Sequence, residues 1–129
     1  PMLTTFDAND TSVACMRRER SNTPLQALTL LNDPVFFEAA QALGQRMSEQ
    51  GKDLRAQIRH GFERCVSRPA SNAEIDRLAK LYNIQKKLID DTPQSAEKIS
   101  GKKEATPHQA ALITLARVML NLDEAITRE

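Results

Sequence analysis

At Thr23-Pro24, Asp33-Pro34 and Thr106-Pro107 a residue with a capping side chain stands directly before a proline. A Thr or Asp oxygen can accept an N–H that the first helical turn leaves without a partner. A proline at the next position loses nothing there, because its missing N–H would have been an orphan and its fixed φ already suits the helix. Each pair therefore predicts a helix start, and two further starts come without proline. Asp53 can cap the residues after it, and Ser71 with Glu74 has the spacing of a capping box.

Five helices follow from these starts. Leu25 to Leu31 is short, since Asn32-Asp33-Pro34 ends it and begins the next. There Phe36, Ala39, Ala40, Leu43 and Met47 recur at helical spacing until Gly51. Leu54, Ile58, Phe62 and Cys65 form the stripe of the third helix, with Arg55, Arg59, Glu63 and Arg64 displaced toward water. Ile75, Leu78, Tyr82 and Leu88 carry the fourth, which the turn RPAS joins to the third as a helical hairpin. Leu112, Leu115, Ala116 and Met119 mark the fifth, and Glu124 to Arg128 can add a last turn. Strand-like alternation is confined to Met2–Phe6.

Isolated helices of these lengths are marginal in water, so they must share a core. With five aromatics in 129 residues that core is chiefly Leu, Ile, Ala and Met, which suits helix-on-helix packing. The expected fold is an all-α, compact bundle of about five helices with a helical hairpin and a mobile polar loop. The loop is the stretch TPQSAEKISGKKEAT, residues 92–106, which is polar and lysine-bearing. The length is one domain's worth. Residues 1–129 are thus expected as a single helical domain, with 1–22 as a lead-in segment. A start at Pro1, with no charged leader or apolar export stretch, leads us to expect a chain cut from a longer protein.

The charge balance, 18 basic against 17 acidic residues, disfavours a dedicated nucleic-acid surface. The 68–71 turn could suggest a DNA-reading pair of helices, but Glu74 and Asp76 would meet phosphate with the wrong sign. No apolar run approaches the roughly 20 residues that cross a bilayer. Metal binding is not expected. His60 and His108 lie outside any paired-histidine motif, and neither Cys15 nor Cys65 begins a CxxC. His108 falls in a first helical turn, where the positive helix end disfavours its protonation. Asp7, Asn9 and Thr11 have the alternate spacing of a calcium loop, yet Ser12 replaces the turn glycine and Arg18 the bidentate glutamate. Gly44 and Gly51-Lys52 are too widely separated for a phosphate loop. No catalytic or cofactor-binding residue emerges.

What remains is the cluster Arg17, Arg18 and Arg20. A guanidinium fork suits carboxylates and backbone carbonyls alike. These arginines can bind an anion, or they can clamp helix ends, with Asp33, Asp123 and Glu124 as candidate partners. The clamp is the expected role, beside the helix caps Thr23, Asp33, Ser71, Glu74 and Thr106.

The runs FDAND, RRERSNTPLQALTLLNDPVFFEAAQAL, ERCVSRPASNAEI and ARVMLNLDEAITRE occur in that order across almost the whole chain. Together they resemble the C-terminal domain of unknown function of planctomycete cytochrome c-associated surface proteins. Ala125 departs from the aromatic that commonly follows the acidic residue there. The resemblance implies the terminal part of a larger family domain in an exported, periplasmic or cell-surface protein. It also implies upstream domains as partners and a haem elsewhere in the parent, since no haem motif and no cofactor site is present here. In such a compartment a Cys15–Cys65 disulfide is permissible, and a thiol count would decide it.

The expected function is a non-enzymatic structural or protein-interaction module whose helical faces pack on upstream domains or form a homodimer. The alternative is part of a cell-surface hydrolytic or redox enzyme, with Arg17, Arg18 and Arg20 holding acidic or sulfated polysaccharide.

Overall fold

The computed structural model of the chain describes residues 23–126. Seven helices make up the ordered elements among them: α1 (Pro24–Asn32), α2 (Pro34–Ser48), α3 (Leu54–Val66), α4 (Asn72–Asp90), α5 (Pro93–Ser100), α6 (Pro107–Leu120) and α7 (Asp123–Ile126). No strand occurs among the described residues, and none of the helices is long and apolar enough to cross a membrane.

Local chemistry sets the helix starts. Thr23 accepts from the Gln26 N–H while the Gln26 side chain reaches back to the Thr23 N–H, closing a reciprocal box. Asp33 ends α1 and caps α2 through the Val35 N–H, and Asp53 caps α3 through the Arg55 and Ala56 N–H groups. Ser71 pairs with Glu74 at the start of α4, and Thr106 with Gln109 at the start of α6, in the same reciprocal way. Each box satisfies two donors that the helix cannot satisfy by itself.

α6 is the hub, packing against α1, α2, α3, α4, α5 and α7. Ala110, Ala111, Leu112, Ile113, Leu115, Ala116 and Met119 are all buried, so this helix is apolar nearly all round, as a central helix must be. Around it stand Ala40, Leu43 and Met47 of α2, Ile58 and Phe62 of α3, Ile75, Leu78, Tyr82 and Ile89 of α4, and Ala96 of α5. α2 comes so close that a Cβ on Gly44 would lie 2.8 Å from the Ile113 Cα. Gln57, fully buried, holds the α2–α3 turn by donating to the Gly51 carbonyl at 2.6 Å.

The structure corrects the sequence reading in three places. Residues 93–100 of the expected loop are helix α5, opened by Thr92-Pro93 and closed by Gly101 in the left-handed region at φ 70°. Its inward side consists of Ala96 and Ser100, with Ile99 partly buried, and residues this small or polar leave little apolar period in the sequence. Leu88 is exposed and Ile89 is buried in its place. At about 100° per residue, position 89 returns to the face of Tyr82 while position 88 does not. Ala39, placed in the α2 stripe, lies at its exposed edge.

Candidate functional site

Arg17, Arg18 and Arg20, the cysteine Cys15 and the Asp7–Val13 stretch all lie outside the described residues, so any site must be built from what residues 23–126 bring together. Three groups of side chains stand out.

The first is centred on Arg68, in the turn between α3 and α4. Its guanidinium holds the Glu124 carboxylate through Nε and Nη2 at 2.6 and 2.7 Å, and the Glu74 carboxylate through Nη2 and Nη1 at 2.7 and 3.1 Å. It also lies over the Phe62 ring, 5.0 Å from the centroid. Glu74 meanwhile accepts from the Ser71 N–H and hydroxyl. Hydrogen bonds from Arg68, then from Ser71, hold the Glu74 carboxyl down at about 2, and Arg68 lowers Glu124 as well. A fork already engaged with two carboxylates has little left for an external anion, so this is a tie between α3, α4 and α7. Glu124 does clamp an arginine, but the arginine is Arg68, 56 residues away in sequence.

Arg117 of α6 makes the second group. It donates to the Leu31 carbonyl at the end of α1 and lies over the Phe37 ring at 5.1 Å, while its buried Nε has no partner. An arginine thus satisfies a helix C-terminus here, the same role that the sequence suggests for Arg17, Arg18 and Arg20. Asp33, offered as a partner for that cluster, caps α2.

The third group is the pair Tyr82 and His108, joining α4 to the first turn of α6, with the phenol O–H on the imidazole Nδ1 at 2.5 Å and the rings edge to face. Burial first, and Lys86 second, lowers the His108 pKa below its ordinary value, so the ring is a neutral acceptor. The direction matches the expectation from the helix end, but the causes are burial and Lys86. Burial raises the Tyr82 pKa, which keeps the phenol protonated and unsuited to act as a nucleophile.

Cys65 is a free, partly buried thiol that burial pushes up to about 11, where it is inert at neutral pH. No group of three or more His, Cys, Asp or Glu residues able to hold a metal ion occurs among the described residues. A polar cleft of about 400 Å³ lies between α2 and α6. On the outer surface Leu25, Leu28 and Val35 are exposed at one end, and Ile84 and Leu88 along α4.

A family model described as "PSD1: Protein of unknown function (DUF1553)" matches residues 1–82, which extend from the start of the chain into the middle of α4. No curated protein matches the chain. No solved structure matches it either.

Proposed function

Because the chain belongs to the PSD1 family of proteins of unknown function, we propose that it serves as a non-enzymatic structural or protein-interaction module at the C-terminus of an exported planctomycete protein with a cytochrome c-like domain upstream. Its groups with chemical potential are engaged in holding helices together: Arg68 with two carboxylates, Arg117 with a carbonyl, His108 with Tyr82. The observation that carries a packing role is the apolar face of α1. Leu25 and Leu28, three residues apart and so on one side of that helix, are 59% and 56% exposed, and Val35 in the first turn of α2 is 59% exposed. Side chains of this size remain on a surface at a cost unless something covers them. Leu25 stands two residues after Thr23, the first described residue, so the part of the protein that precedes it in sequence is the partner this face fits.

Titrating the separately expressed upstream region into this chain tests the reading. Saturable binding should be seen, weakened at least about tenfold, or ~1.4 kcal/mol, by the triple change Leu25→Ser, Leu28→Ser and Val35→Ser. The double change Ile84→Ser and Leu88→Ser should leave it intact. Absence of binding, or equal binding by the triple variant, overturns the proposal.

A further inference from the structure

The cleft between α2 and α6 has an unusual lining. α2 contributes Gln41, Gln45, Ser48 and Glu49 from one side of the helix, α6 contributes Gln109, and Lys102 stands at the end formed by the turn after α5. Ala42 and Ile113 are the only apolar residues in it, and Ser100 adds a hydroxyl. Pockets for drug-like ligands are of comparable size but mainly apolar. One lysine balanced by one glutamate also fails to make an anion site.

The orientation of all three carboxamides is fixed by groups that can play only one role. Gln41 Nε2 donates to the Ile99 carbonyl, which can only accept, so its Oε1 is the end left over. The Thr106 N–H can only donate, so Gln109 uses Oε1 for the cap and leaves its NH2 free. The Lys102 ammonium donates to Gln45 Oε1, which turns the Gln45 NH2 toward Glu49. The cleft therefore presents a bare acceptor on α2 and a bare donor on α6, with spare ammonium protons and a carboxylate oxygen nearby. A hydroxyl group both donates and accepts, and adjacent hydroxyls on one ring do so at several points at once. The geometry points to this cleft as a binding site for a neutral polyhydroxylated ligand, a saccharide unit, held by Gln41 and Gln109 across its width and by Lys102 at its end. The site is separate from the apolar face of α1, so either proposal can fail alone.

The discriminating substitution is Gln109→Glu. A glutamate at the third helical position keeps the capping box through its carboxylate, yet it replaces the free donor with an acceptor. Amide NMR spectra of the whole chain would be followed during titration with cellobiose and lactose, with sulfate and trialanine in parallel. We expect saturable shifts in the side-chain amides of Gln41, Gln45 and Gln109 and in the 100–102 backbone, with a Kd of about 1–10 mM for so few free groups. Gln109→Glu should weaken that binding at least about tenfold at unchanged melting temperature. Lys102→Met should weaken it without touching a helix. No saturation with either disaccharide, undiminished binding by Gln109→Glu, or equal shifts with sulfate or trialanine would each overturn the proposal.

Discussion

Arg68 shows what one side chain can do when every face of it is used. Its edge holds Glu74 and Glu124 and its flat face covers Phe62, so charge pairing and ring contact act on the same guanidinium. The pH dependence follows with a definite sign. Glu74 titrates at about 2 in the fold against an ordinary 4.5, so the unfolded chain binds the proton first as pH falls. Its contribution is whole above pH 4.5 and is lost as pH falls toward 2. His108, lowered from 6.5, contributes fully above that value and loses its contribution below it. Urea unfolding followed against pH should show both windows. Arg68→Met should flatten the acid one, and His108→Gln the one that opens at 6.5. Tyr82→Phe, which strips the imidazole of its donor in a part-buried pair, should cost about 1 kcal/mol in the same measurement at neutral pH. The sequence revealed Ser71 and Glu74 because a capping box is written within four residues. Arg68–Glu124 was not legible, because nothing in the order of residues states which of several charges the fold brings to a given arginine.

Between elements, the spacing of helices is set by what is absent. Gly44 lets α2 lie against α6, and a methyl group there would meet Ile113 backbone atoms at 2.8 and 2.9 Å, which cannot turn aside. Gly44→Ala should therefore cost about 3 kcal/mol in urea unfolding, since relief requires the helices to part. Gly61→Ala meets only the Met47 side chain, a flexible group that can swing away. With the gain in helix propensity offsetting part of the crowding, its cost should stay below about 1 kcal/mol. Ser67, at φ 61°, ends α3 in the left-handed region without being glycine. Ser67→Gly should raise stability by about 0.5 kcal/mol, visible as a higher melting temperature. The packing role of these glycines was not legible in the sequence, where a glycine inside a helical pattern carries no sign of the neighbour it admits. α5 escaped for a related reason, since Ala96 and Ser100 bury too little apolar surface to stand out among its polar residues.

For the molecule as a whole, the decisive fact is that one helix meets every other described helix. α1, α2, α3, α4, α5 and α7 each pack on α6, so the core they share runs along it. The all-α class was legible because cap-plus-proline steps and apolar stripes are local signals. The centrality of α6 shows in the sequence only as the dense run AALITLA. A hub of this kind should make unfolding all-or-none. Leu115, with no exposed surface, faces that shared core, and Leu115→Ala should cost about 2–5 kcal/mol through lost burial and the cavity left behind. Against a total of about 5–15 kcal/mol for a domain of this kind, that is a large share. Helical circular dichroism and Tyr82 fluorescence should then lose signal at one common, lowered urea concentration. Glu124→Ala, which frees α7 from Arg68, should leave that midpoint close to the parent's and mainly speed amide exchange at the C-terminal end. Separate midpoints for the two probes in Leu115→Ala would show that the surrounding helices hold a core of their own, and that α6 does not organise the fold.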